Sequence, residues 1–280
     1  TRERVGRDGV EGKKIDSNCI RWGVMKVLIN GEITSNPLTL PFSESLLRGD
    51  GLFETILGID QAPIAWDKHY ARLSNAAAQL LISIPARIDL DLGIAKLLAG
   101  AAGKSKIRLT VLADGNWMIS AEAVAESDKP VSLMRMKEIV SSKAVLSGVK
   151  SISYGQSMMA VRRAQAIGYT DAIFVNENDQ VVETGFSNLL ILTKDGFTTP
   201  ALESGCLPGV MREILINSFG VTQSLFNYEE LQQAEAIYTC SSIRLIQHVS
   251  KVDDILFNEN QKGEELICDF SKLLTSKITP

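Results

Sequence analysis

Lys150 and Glu183 are the two side chains whose types and surroundings point most directly to chemistry. Lys150 opens the run Lys150-Ser151-Ile152-Ser153-Tyr154, and Glu183 stands in Val182-Glu183-Thr184-Gly185-Phe186-Ser187-Asn188. A lysine amine condenses with an aldehyde, and a carboxylate beside a ring nitrogen keeps that nitrogen protonated, so the pair suits opposite ends of pyridoxal phosphate. Each residue has a plainer reading. Most lysines are solvated surface charges, and an acid at a strand end is commonly exposed. Lys150 differs through its company: Tyr154, four residues on, could donate to the cofactor's phenolate oxygen.

A phosphate needs its own site. Gly205-Cys206-Leu207-Pro208-Gly209-Val210-Met211-Arg212 leads from a loop into a helix expected to end near Phe219, before Gly220. Free N–H groups and the positive dipole end favour a dianion at such a start. Thr239-Cys240-Ser241-Ser242 is a second candidate, because small hydroxyl residues there follow the apolar strand expected over 234–238. Arg72 shares a helix face with His69 and borders the stripe through Leu73, which turns its guanidinium inward. A buried arginine takes an anionic partner, either phosphate or an acid such as Glu54. His69 reads as a packed helix residue. With two histidines and no matching cysteine spacing, no metal site is expected.

The elements that must position these groups are α and β in both halves of the 280-residue chain. Residues 24–29 read as a strand, followed by Asn30-Gly31, a dipeptide suited to a tight hairpin. A strand over 52–59 precedes a turn at Asp60-Gln61, and Trp66, Tyr70, Leu73, Ala77 and Leu80 then recur at helical steps. Strands over 106–112 and 117–123 flank Ala113-Asp114-Gly115-Asn116. A helix is expected over 155–167, ending at Gly168, with strands over 172–175, 180–183 and 188–193. The polar, proline-bearing stretch Glu126-Ser127-Asp128-Lys129-Pro130 and the irregular chain after Arg135 place a junction near 126–142. The expected division is a mobile extension over 1–22, a small α/β domain over 23–135 and a second domain over 136–280.

Composition narrows the function classes. With 45% hydrophobic and 22% charged residues the chain is globular, and a net charge of -4 gives no electrostatic case for nucleic acid or an anionic membrane. No apolar run approaches the roughly 20 residues that span a bilayer. Cys19, Cys206, Cys240 and Cys268 are scattered, as in a reduced cytoplasmic protein.

Six motifs in fixed order resemble the class IV aminotransferase family, the fold-type IV pyridoxal phosphate enzymes: Arg48-Gly49-Asp50-Gly51-Leu52-Phe53-Glu54-Thr55, His69-Tyr70-Ala71-Arg72-Leu73, the Lys150 run, Glu183 with the residues to Asn188, Leu207-Pro208-Gly209 with Arg212, and the run from Tyr238 to Ser242. The resemblance implies an α+β fold, with a small N-terminal α/β domain, a C-terminal barrel-like domain, a site between them and a homodimer. It also implies that Lys150 carries the cofactor, Glu183 meets the pyridine nitrogen and Arg72 binds phosphate. The amides of Val210 and Met211, with Ser242 and its neighbour Ser241, would complete the phosphate cradle, and Tyr154 would reach the phenolate oxygen. Met211 departs from the family's threonine, His248 from its proline and Phe186 from its small residue. Arg108-Leu109-Thr110 lacks the family's Thr-Arg-Gly on this strand, so Arg48 and Arg108 are the basic residues placed nearest a substrate carboxylate, Arg48 from across the dimer, with a surface ion pair the equal alternative for each.

Within the family the chain is most similar to the aminodeoxychorismate lyases, which implies conversion of 4-amino-4-deoxychorismate to 4-aminobenzoate and pyruvate in folate biosynthesis. A branched-chain or D-amino acid aminotransferase would use the same lysine. A non-catalytic dimeric binding protein on this scaffold is the third reading.

Overall fold

A computed structural model of the chain describes residues 26–34, 43–124 and 130–276. The extension expected over 1–22, Val24 and Met25 at the start of the first strand, and residues 126–129 of the expected junction lie outside the described residues.

The fold is mixed α+β, built on two curled sheets. The first has six strands: β1 (Lys26–Ile29), β2 (Glu32–Thr34), β3 (Gly51–Ile59), β4 (Ala62–Pro63), β5 (Lys104–Leu112) and β6 (Trp117–Ala123), in the order β2-β1-β6-β5-β3-β4. Asn30 and Gly31 both adopt positive φ, 46° and 91°, in the expected β1–β2 hairpin. Helix α1 (Glu44–Arg48) precedes β3, while α2 (Trp66–Leu80) and α3 (Arg87–Leu98) lie between β4 and β5. Leu73 and Ala77 of α2 and Leu90, Ile94, Leu97 and Leu98 of α3 are buried in one core with Leu52, Ile56, Ile107 and Leu109 of the sheet.

The second sheet takes nine strands: β7 (Val131–Arg135), β8 (Asp171–Val175), β9 (Val181–Thr184), β10 (Asn188–Thr193), β11 (Gly196–Pro200), β12 (Thr222–Ser224), β13 (Ala236–Ser241), β14 (Leu245–Val252) and β15 (Ile255–Leu256). Their order is β12-β11-β10-β13-β14-β7-β8-β9, with β15 on β14, and β9 curls back against β10 and β11. Around it run α4 (Gly155–Ala166), α5 (Val210–Phe219), α6 (Tyr228–Gln232) and α7 (Gln261–Ser276). β13 runs later than the 234–238 expected from sequence: Thr239, Cys240 and Ser241 belong to it, because each pairs with β14, and Thr239 and Cys240 also with β10. Ser242 alone of that run lies beyond the strand.

Candidate active site

A cavity of about 520 Å³ opens between the two sheets, within the range of small-molecule sites. Lys150, Glu183, Arg72, Tyr154, Val210, Met211, Ser241, Ser242 and Arg108 all border it.

Lys150 belongs to no strand of either sheet, yet its place is fixed. Phe53 N–H of β3 donates to Lys150 O at 2.9 Å, and Ile152 N–H donates to Gly51 O at 3.0 Å. Gly51 is required there, since a β-carbon would sit 2.4 Å from Val111 O. The ammonium lies 4.4 Å from the centre of the Phe53 ring. Burial, and then the positive charge of Arg72, pull its pKa down to about 8.

Glu183 sits on β9 and is oriented by donors. Its Oε2 accepts from Leu207 N–H at 3.0 Å and from Asn188 Nδ2 at 3.2 Å, and Asn188 also donates to Leu207 O at 2.9 Å. Burial outweighs these contacts and pushes the carboxyl up to about 7. Asn188 stands in a motif quoted from the sequence, but its role depends on the tertiary approach of β10 to the 205–209 loop.

Of the two partners offered for Arg72, the acid is the one in contact. From Nε and Nη2 it donates to the two oxygens of Glu54 at 2.9 and 2.6 Å, and from Nη1 to Pro208 O at 3.1 Å. His69, fully buried, places Nδ1 at 2.7 Å from Glu54 and Nε2 at 3.5 Å from Ser242 Oγ. Burial alone would raise the Glu54 carboxyl. The charge of Arg72 and the hydrogen bonds from His69 and Arg72 win, and its pKa falls to about 2. Arg72 keeps its place on the cavity wall while paired.

Helix α5 begins at the cavity, and Gly209 at its N-cap supplies no side-chain acceptor to the first amides. The backbone there is pressed close to Asn188: a β-carbon on Gly209 would fall 1.9 Å from Asn188 Oδ1. An uncapped helix start, a guanidinium and the hydroxyls of Ser241 and Ser242 together make a donor set for a dianion. With a partly neutral lysine and an oriented acid on the same cavity, these residues fit pyridoxal phosphate.

Tyr154 and Arg48 each have a partner within the chain. The Tyr154 hydroxyl donates to Gly185 O at 2.6 Å, while its ring borders the cavity. Arg48 does not line the cavity of its own chain; its side chain is 73% exposed and pairs with Glu44 one helical turn away. Arg108 does line it, opposite Thr55 in the β3–β5 register, with its guanidinium 3.4 Å from the Phe53 ring centre. It makes no ion pair among the described residues, and burial draws its pKa down to about 10. Arg244, Lys106 and Asn188 also border the cavity; the sequence carries no signal for the first two beyond their charge.

Comparison with known proteins gives the same placement. The family model for amino-transferase class IV matches residues 51–252. An aminodeoxychorismate lyase of Bacillus subtilis is 25% identical over 252 residues, covering 80% of this chain and 84% of its own. A D-alanine aminotransferase of Listeria innocua is 22% identical, covering 85% and 91%. Among solved structures, a branched-chain aminotransferase from Thermoproteus uzoniensis superimposes with a TM-score of 0.82 at 21% identity, covering 92% of this chain and 97% of its own.

Proposed function

The chain belongs to the class IV aminotransferase family, whose members are pyridoxal phosphate enzymes, and from that premise we propose that it is a lyase converting 4-amino-4-deoxychorismate to 4-aminobenzoate and pyruvate. The observation that carries the proposal is Arg108. A substrate bearing an amine and a carboxylate on one ring, with a second carboxylate on its enolpyruvyl group, needs a cation in the same cavity as the lysine, and Arg108 and Lys150 stand against the same Phe53 ring, the arginine without an ion pair among the described residues. The aminodeoxychorismate lyase relative supports the same reading.

The geometry supports the following residue roles. Arg72, the first amides of α5, and Ser241 and Ser242 would hold the phosphate; Glu183, fixed by Leu207 N–H and Asn188, would hold positive charge at the ring nitrogen. When bound, pyridoxal phosphate supplies an aldehyde for the amine and a ring that accepts electrons from the carbon bearing the substrate nitrogen. Lys150 would take the proton from that carbon at Nζ, for which a pKa near 8 keeps a useful fraction of base. The carbon–oxygen bond to the enolpyruvyl group would then break, the departing enolate would take up a proton to leave as pyruvate, and the ring would become aromatic. Folate biosynthesis, a homodimer, a cytoplasmic location and the two-domain division near residue 136 complete the reading; the free thiols of Cys206, Cys240 and Cys268 agree with a reducing compartment.

An aminotransferase acting on branched-chain or D-amino acids is the second reading, supported by the D-alanine aminotransferase relative that covers 85% of this chain. It would use the same lysine and return the proton elsewhere. Purified holoenzyme assayed for pyruvate release from aminodeoxychorismate, beside transamination of D-alanine and L-leucine, separates the two. Transamination without pyruvate release would remove the lyase reading.

A further inference from the structure

Phe186 is a large apolar residue left 40% exposed at the cavity edge, yet its backbone is held firmly. The N–H groups of Phe186 and Ser187 donate to Thr184 Oγ1 at 3.4 and 3.0 Å. The Thr184 hydroxyl and the Gly185 N–H donate in turn to the buried carboxylate of Asp171 at 2.9 and 3.0 Å. Gly185 has no room for a side chain, because a β-carbon would lie 2.5 Å from Val161 and 2.6 Å from Asp171. The turn therefore sets the Phe186 ring against Tyr154, with centroids 6.4 Å apart and planes inclined by 22°. Tyr154 meets Phe53 edge-on at 5.3 Å, and Arg108 covers Phe53.

No step of phosphate binding or proton transfer requires Phe186. Its ring instead continues an aromatic wall that starts beside Lys150 and ends at the cavity edge. We infer that Phe186 is a specificity-determining residue: with Tyr154 it forms a stacking wall that selects amines carried on an unsaturated six-membered ring, their carboxylate directed to Arg108, over aliphatic amino acids. The substrate class rests on the lyase reading above, while the wall itself rests on the ring geometry. A flat ring gains a stacking contribution that an aliphatic chain of similar area does not, worth about two- to tenfold in affinity.

The test titrates 4-aminobenzoate, and separately the aliphatic acid 4-methylpentanoate, into holoenzyme by calorimetry, with cofactor occupancy checked by visible absorbance. Wild type is compared with Phe186→Tyr, Phe186→Leu and Phe186→Ala. The leucine and alanine variants are expected to weaken 4-aminobenzoate by about fivefold or more while the tyrosine variant retains it, and 4-methylpentanoate is expected to move by less than about twofold. Wild-type affinity for 4-aminobenzoate in Phe186→Leu, equal losses for both acids, or no binding of 4-aminobenzoate to wild type would each overturn the inference. Phe186-dependent binding of 4-aminobenzoate by an enzyme that releases no pyruvate would uphold the wall and remove the lyase reading.

Discussion

A lysine that must attack an aldehyde has to be neutral, and Lys150 is enclosed beside Arg72 in a way that favours that form. Capture of pyridoxal phosphate by the cofactor-free protein should therefore speed up as pH rises through about 8 and level off above it. Borohydride reduction of the holoenzyme followed by peptide mapping should find the cofactor on Lys150, and Lys150→Ala should yield no adduct and no turnover. An adduct on another lysine would refute the assignment. Glu183 titrates in the opposite sense. Its pKa is raised from 4.5 to about 7, so the folded cofactor-free protein holds a proton that the unfolded chain has lost. That contribution to stability is full below 4.5 and disappears as pH rises through about 7. Glu183→Gln should flatten this part of the stability profile and lower kcat more than cofactor affinity, because an amide cannot hold charge at a ring nitrogen. Equal losses in both quantities would mean that the side chain only positions the cofactor. Lys150 and Glu183 were named from the motifs around them, although the groups that hold them, Phe53 and Leu207, are distant in sequence. Glu54 was named only as one of two partners for Arg72, and Asn188 carried no role, since a carboxamide declares its partner only when distant strands and loops meet.

Elements with one clean period or a closing glycine were readable. α2 occupies the expected helical stretch, α5 ends at Phe219 before Gly220, and β6 and β10 match their expected strands. α3 escaped notice because exposed Ile88 and Leu92 blur the face made by buried Leu90, Ile94 and Leu97. α7 carries Leu266, Phe270 and Leu274 at helical spacing, but Gly263 at its start reads as a break. That glycine answers a packing need, for a β-carbon there would lie 1.7 Å from the Tyr238 hydroxyl oxygen. The end of α2 carries a different cost: Leu81 caps it at φ 57° with its side chain 93% exposed. A left-handed conformation costs an L-residue about 1–2 kcal/mol, and glycine gives back part of that gain through its freer unfolded chain. Leu81→Gly should stabilise the protein by about 0.5–1 kcal/mol in denaturant unfolding, while Leu81→Ala, which keeps the strain, should not. Equal effects from the two would assign the change to the lost side chain.

At the scale of the whole molecule, the cavity depends on a buried charge cluster that ties the first sheet to the second. Glu54 comes from β3, His69 and Arg72 from α2, and their outward contacts reach Pro208 before α5 and Ser242 after β13. The sequence offered phosphate and Glu54 as rival partners for Arg72. The structure pairs it with Glu54 while leaving it on the cavity wall, which no spacing rule distinguishes. Because the Glu54 carboxyl is lowered from 4.5 to about 2, the cluster's stabilisation is present above 4.5 and is lost as pH falls toward about 2. Arg72→Ala strands the Glu54 charge, so it should lower the melting point of the cofactor-free protein whatever happens to phosphate; breaking a buried pair this way costs about 3–5 kcal/mol. The double variant Glu54→Gln with Arg72→Met removes the stranded charge and should recover part of that loss. A bound ligand raises stability by about 2.7 kcal/mol at a hundred times its Kd, so the melting-point increment on adding pyridoxal phosphate reports cofactor affinity separately from the fold. The increment should be large in wild type and small in both variants. If the double variant regains the full increment, Arg72 serves the cluster alone and the phosphate is held by α5, Ser241 and Ser242.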